Sequence, residues 1–178
     1  MDAAVICEPE ENQLCIKQKG ALRVGVTVRG RMAHGAMPAS GINPVTRAAR
    51  FVVALERLER EEIERHGEDP FLGYPSLTPT VLMGPESGEP EINVIPASAY
   101  VALDIRTAPG QAHERRVGRL EEILANLEAG DPDFDATLEV IEERPPTETP
   151  KDEPLVEAMA AAYATMAMYY CYGKDACV

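Results

Sequence analysis

Residues 22–29, "LRVGVTVR", alternate strictly: Leu22, Val24, Val26 and Val28 fall on one face, and Arg23, Thr27 and Arg29 on the other. A period of two predicts a half-buried strand. The pattern then changes. Asn43 followed by Pro44 is a helix start, with Asn as N-cap and Pro at the first helical position. From Pro44 to about His66, Val45, Ala48, Val52, Leu55 and Leu58 recur at steps of three and four, and Arg47, Arg50, Glu61 and Arg65 take the opposite face. Gly67 is a natural helix end. "SLTPTVLMG" (76–84) reads as a strand interrupted by Pro79, and so an edge or bulged one. "ESGEPE" is a turn.

"YVALDIRT" (100–107) alternates again, with Val101, Leu103 and Ile105 inward and Asp104 and Arg106 outward. "GQAHERRVGRLEEILANLEAG" carries a Val117, Leu120, Leu124, Leu127 stripe and predicts a second helix. "FDATLEVIEE" predicts a last strand with Phe134, Ala136, Leu138 and Val140 on one face. The order is β-α-β-β-α-β, which predicts an α+β ferredoxin-like sandwich: a four-stranded antiparallel sheet with two helices on one face.

Both ends differ from this unit. "RPPTETPKDEP" has the composition of a linker, and from Glu153 to about Met168 runs an Ala/Met-rich helix with nothing of its own to pack against. "AAVICEPEENQ" predicts a short apolar strand running into an acidic loop. The flanks therefore read as pieces of a second domain into which the sandwich is inserted: residues 1–19 and 145–178 around a unit at 20–144.

Composition narrows the functions. Thirty acidic residues against 17 basic give a formal charge of −13, which argues against nucleic acid as a partner, since such binders cluster Lys and Arg. No apolar run approaches the roughly 20 residues that span a bilayer, so no membrane partner is expected. The N-terminus lacks the basic start of a secretory signal. Cys7, Cys15, Cys171 and Cys177 show no CxxC spacing and are expected to be reduced thiols in a cytoplasmic protein.

Four residues carry candidate chemistry. Glu8 ends the predicted short strand, where a rigid element can hold a carboxylate for a metal; on spacing alone a solvated acidic loop is the better explanation. His34, in "GRMAHGAMPASGINP", is either an ordinary loop histidine or a donor to developing negative charge. Asn93 in "INVIP" is ordinary taken alone. Arg106 in "DIRT" is either a solvated strand residue or a fork for a substrate carboxylate.

Taken together, "CEP", "KGALRVGVTVRGRMAHGAMPASGINPV" and "INVIPASAYVALDIRTAPG", in that order, resemble the dinuclear zinc aminoacylases and peptidases. That family includes acetylornithine deacetylase, succinyl-diaminopimelate desuccinylase and carboxypeptidase G. The resemblance runs from about residue 2 to 145 and is carried by a Gly-x-x-Ala-His-x-x-x-Pro-x-x-Gly-x-Asn block. It implies a lid domain, inserted in a two-zinc catalytic domain, that makes a homodimer through a helix and an edge strand. It further implies Glu8 as a zinc ligand, with Cys7 in place of the usual Gly. His34 becomes the lid histidine that reaches the partner's active site, and Asn93 and Arg106 become substrate-carboxylate positions.

The implied reaction is hydrolysis of an N-acyl amino acid or small peptide by metal-bound water, with zinc or cobalt. The family's His-x-Asp, Glu-Glu pair and final His are absent from these 178 residues. The chain is thus expected to be the lid portion of such an enzyme, inactive alone and with at most an incomplete metal set. The other class of reading is a free-standing ferredoxin-like module for dimerisation or small-ligand binding.

Overall fold

The computed structural model describes residues 4–6 and 14–172, with side chains to residue 163. Glu8, Cys7 and Cys177 lie outside the described residues, as does the Cys171 side chain; Cys15 is a free, exposed thiol. In chain order the elements are β1 (Lys17–Gln18), β2 (Gly20–Arg29), β3 (Ala33–His34), a 3-10 turn (Pro38–Ser40), α1 (Pro44–His66) and β4 (Ser76–Met83). There follow β5 (Val94–Ile95), β6 (Ser98–Thr107), α2 (His113–Gly130), β7 (Asp135–Arg144), β8 (Thr147–Glu148) and α3 (Pro154–Tyr172). Two compact units result: Lys19–Pro146, and Met1–Gln18 with Thr147–Val178.

The larger unit holds a four-stranded antiparallel sheet in the order β4-β6-β2-β7. The long strands thus stand second, third, first and fourth in chain order, the split β-α-β arrangement expected. β2 pairs with β6 over its whole length, from Gly20 opposite Thr107 to Arg29 opposite Ser98. Alternation decides which face is covered. Leu22, Val24, Val26 and Val28 are fully buried, and so are Ala99, Val101, Leu103 and Ile105. They form one core with Ala48, Phe51, Leu55 and Leu58 of α1 and Leu120 and Leu124 of α2.

α1 forms because its start and stop are both specified. Asn43 Oδ1 accepts the Val45 N–H at 3.0 Å, Pro44 occupies the first turn, and Gly67 ends the helix at φ 67°, a conformation that favours glycine. Its buried stripe is Ala48, Phe51, Leu55, Leu58 and Glu62. Phe51, the largest fully buried side chain, belongs to the stripe that Val45 and Val52 only flank.

Both edge strands carry an extra residue. In β4 the pairing jumps between Pro79 and Val81, because proline offers no N–H to the ladder. In β7 it jumps opposite Arg23 and Val24, leaving Ile141 unpaired in register. Val140 stays 45% exposed at that edge, so the inward face of β7 is covered less fully than its alternation suggests.

In the smaller unit β1 pairs antiparallel with β8. Lys17 Nζ lies 2.9 Å from a Glu148 carboxylate oxygen, and the Thr149 N–H donates to the Ile16 carbonyl at 2.8 Å. Ala4–Ile6 is not a strand, and Val5 and Ile6 are exposed. A strand needs a partner's hydrogen bonds, and no described segment pairs with this one. The C-terminal helix runs to Tyr172, beyond Met168. No described helix is long and apolar enough to cross a membrane.

Asp131, at the end of α2, receives Arg47 at 3.0 Å and Arg50 at 3.0 Å from α1. The Arg47 hydrogen bond, chief among these contacts, holds the Asp131 carboxyl below its ordinary value. A depressed carboxylate stabilises the fold fully above its unfolded pKa and loses that contribution as pH falls through the folded value. Asp131→Asn is therefore predicted to lower the thermal midpoint at neutral pH, by a difference that shrinks as pH falls below about 4. Circular dichroism melts across that range measure it, and a pH-independent difference would contradict the assignment.

Candidate functional site

The His34 segment is a loop closed at its base. Past the end of β2, the Gly30 N–H donates to the Ala97 carbonyl at 2.7 Å, and Arg31 and Ile42 exchange backbone hydrogen bonds at 2.9 and 3.0 Å. Gly30 is required by crowding: a Cβ there would sit 2.4 Å from the Ile42 carbonyl oxygen and 2.5 Å from Pro44 Cδ. Within the loop, Ser40 Oγ and its N–H both reach the Met37 carbonyl, at 2.8 and 3.1 Å. Arg31 Nε bonds the Ser40 carbonyl at 3.1 Å.

This closure presents Ala33 and His34 as β3, paired with β5, His34 opposite Val94 and Ala33 opposite Ile95. One step further the Gly35 N–H donates to the Asn93 carbonyl at 2.6 Å. Two of the sequence candidates, His34 and Asn93, are thus brought together. Both are exposed. The His34 Nδ1 accepts the Ala36 N–H at 3.2 Å, and a ring nitrogen that accepts carries no proton. The neutral imidazole therefore holds its proton on Nε2, ready to donate outward. Neither His34 Nε2 nor the Asn93 carboxamide has a protein partner among the described residues. Met32, Met37 and Ile92 stand exposed in the same segments.

Arg106 is elsewhere. It lies on the open face of the sheet, opposite Ala21 and Ser76, eight residues along β6 from Ser98, or about 26 Å at about 3.3 Å per residue. The His34–Asn93 pair sits beyond the other end of that strand. Arg106 Nε donates to Asp104 Oδ2 at 3.0 Å. Arg23 pairs with Glu142, its Nε lies 3.7 Å from Asp104, and Arg144 Nε lies 2.8 Å from Glu142. The Arg106 terminal nitrogens have no partner among the described residues, so a two-pronged donor remains available on that face.

Glu8 is outside the described residues. Among the described residues no three His, Cys, Asp or Glu side chains gather where a metal could sit. Those residues by themselves do not fit a dinuclear metal centre.

A model of the peptidase dimerisation domain matches residues 16–132. The chain belongs to that family. It is 30% identical to acetylornithine deacetylase of Myxococcus xanthus over 177 residues, covering 97% of this chain and 45% of that enzyme. It is 29% identical to succinyl-diaminopimelate desuccinylase 2 of Shewanella loihica over 132 residues, covering 71% of this chain and 33% of that enzyme. The chain thus spans less than half the length of these relatives. The fold is that of a metallo-carboxypeptidase of Sulfolobus solfataricus, with TM-score 0.64 and 18% identity over 84% of this chain and 43% of the other. An amidase of the hydantoinase/carbamoylase family from Burkholderia vietnamiensis gives 0.63 and 24% over 85% and 33%.

Sequence patterning missed a second polar cluster. His113 is buried between Thr107 Oγ1, 2.8 Å from its Nε2, and Glu143, 3.1 Å from its Nδ1. Glu62 and Arg116 form an ion pair, both side chains 5% exposed, in the helix interface. The one available signal was Glu62 at step four after Leu58, a charge on an apolar stripe.

Gly41 is a second close approach at the His34 loop's base: a Cβ there would stand 2.7 Å from Ala33 Cβ and 3.0 Å from the Arg31 carbonyl oxygen. Gly41→Ala is predicted to destabilise by about 1–3 kcal/mol and to expose the Arg31 and Ile42 amides to hydrogen exchange. Unchanged protection at both amides would show that the loop does not depend on this approach.

Proposed function

We propose that this chain is the lid and dimerisation portion of a metal-dependent amidohydrolase, acting on an N-acyl amino acid or small peptide. In this reading residues 1–19 and 145–178 are remnants of the catalytic domain, 20–144 is the lid, and the metal is zinc, or cobalt in its place. The observation that carries it is the His34–Asn93 pair. A histidine whose Nδ1 is occupied by the Ala36 N–H offers Nε2–H as a donor, as an amide's tetrahedral oxyanion requires. His34 serves the partner's active site, and the Asn93 carboxamide and the Arg106 guanidinium hold the substrate's carboxylate. Glu8 contributes one carboxylate to the metal set. Both relatives named above carry names that state removal of an acyl group from an amino acid, which supports the substrate class.

The partner is a second copy of the chain. The two exposed sheet edges differ in charge. β7 (Asp135–Arg144) bears Asp135, Glu139, Glu142, Glu143 and Arg144, whereas β4 (Ser76–Met83) bears no charged side chain. Charges on an edge discourage strand pairing, and a neutral edge permits it. Val81, Leu82 and Met83 are exposed along β4, and Val53 is exposed on α1, which packs over it. For a chain of charge −13, this is the edge two copies approach with least repulsion.

Light scattering is predicted to give twice the 19.4 kDa chain mass, and Val81→Lys with Leu82→Lys to give the single mass with an unchanged far-ultraviolet spectrum. A wild-type monomer at all concentrations, or a lysine variant that stays paired, would refute pairing through β4. In the same preparations no amide hydrolysis is expected with zinc or cobalt added. Turnover by this chain alone would refute its assignment as a lid portion.

A further inference from the structure

The bulge in β7 decides which way its last residues face. Val140 pairs with Val24 on the core side, Ile141 is the extra residue, and beyond it Glu142 pairs with Arg23 and Arg144 with Ala21. Without the extra residue, alternation would turn Glu142 and Arg144 toward the helices. With it they join Arg23, Asp104 and Arg106 on the open face of the sheet, a re-aiming of side chains that bulges perform beside functional sites. These five charges form a horseshoe. At its centre Arg23 pairs with Glu142 through Nη1, and its Nε lies 3.7 Å from Asp104 Oδ1. Each carboxylate then holds the arginine two residues further along its own strand: Asp104 holds Arg106 Nε at 3.0 Å, and Glu142 holds Arg144 Nε at 2.8 Å. Because both anchors use Nε, the terminal nitrogens of both arginines have no partner among the described residues.

We propose that Arg106 and Arg144 jointly bind one carboxylate above Ala21, and that Asp104 and Glu142, linked through Arg23, are the residues that position the two guanidinium forks. Ala21 pairs with Arg106 on one side and with Arg144 on the other, so the smallest side chain of the group lies between the two arms. Two strand spacings separate the arginine backbones by about 10 Å. Two charge-assisted bonds of about 2.8 Å each, with the width of a carboxylate between them, fill most of that gap. Charge agrees: three guanidiniums against two carboxylates leave a single positive charge, on a chain whose total is −13, and a single carboxylate neutralises it. The proposal rests on the substrate reading above for the identity of the anion, an N-acyl amino acid, and it adds Arg144 to the residues that hold it.

The test titrates the full chain, isotope-labelled so that NMR resolves the arginine Nε–H groups, with N-acetylglycine, and with uncharged N-acetylglycinamide as the control. The Arg106 and Arg144 signals should move together and saturate with one Kd, and the amide should move neither. Arg144→Gln should weaken binding by about tenfold or more, as for loss of a hydrogen bond to a charged group. Arg65→Gln, which removes the same charge from the exposed last turn of α1, should leave the affinity unchanged. Glu142→Gln separates positioning from bulk charge: it makes the face more positive, yet binding should weaken. Movement of Arg106 alone, or two different saturation constants, would overturn the shared site and leave the assignment of Arg106 to the substrate's carboxylate intact. Tighter binding by Glu142→Gln would overturn the positioning role. Movement of neither arginine would overturn the shared site and the Arg106 assignment together.

Discussion

The pairing of β2 with β6 over ten residues is the constraint on which the rest of the larger unit depends. Both strands lie inside the sheet, so a shift of one residue would turn Leu22, Val24, Val26 and Val28 out of the core and put Arg23 and Thr27 into it. With the register so held, the two ends of the ladder are placed as well. At one end Arg29 meets Ser98, the Gly30 N–H reaches Ala97, and the loop that follows is brought against residues 92–95. At the other end Gly20 meets Thr107 so closely that a Cβ would lie 2.4 Å from the threonine hydroxyl oxygen. That hydroxyl engages His113 at the start of α2. A hydrophobic alternation thus positions His34 without contacting it.

Two kinds of polar residue are separated by this frame. Glu62, Arg116, Gln111 and His113 are buried: the Glu62–Arg116 pair joins the two helices, Gln111 accepts from Arg116, and His113 ties α2 to Thr107 and Glu143 of the sheet. His34 and Asn93 are exposed, and their outward donors are unengaged among the described residues. Buried polar groups are mostly paired for structural reasons, whereas an exposed histidine with an oriented proton suits a ligand. The sheet edges divide in the same way: β7 is charged, and β4 is neutral.

Much of this was legible in the chain because alternation and three-four spacing report burial directly. The limits of β2 and α1, the bulge near Pro79 and the β-α-β-β-α-β order follow from residues that each have one local reason to be there. Other features depend on contacts remote in sequence. The two-residue β3–β5 ladder has no periodicity to read, since "AH" and "VI" are too short, and only folding reveals that Gly35 bonds Asn93. Phe51 escaped the predicted stripe because α1 is turned slightly from it, toward the 48-51-55-58-62 line. The Glu62–Arg116 pair joins residues 54 positions apart, and each alone reads as surface charge. The family resemblance implied roles toward substrate for His34, Asn93 and Arg106 alike. In the fold the first two are neighbours, and the third sits toward the other end of β6.

The central claim is that His34 is an oxyanion donor supplied to a catalytic half. The direct measurement replaces the matching segment of the Myxococcus xanthus acetylornithine deacetylase with residues 16–146 of this chain and compares kcat for His34 and His34→Ala forms of the chimaera. The account predicts an active chimaera whose kcat falls by about 10²–10³ on substitution, as for loss of one oxyanion-hole donor, with dimer mass unchanged. Equal kcat values in the two forms would contradict it.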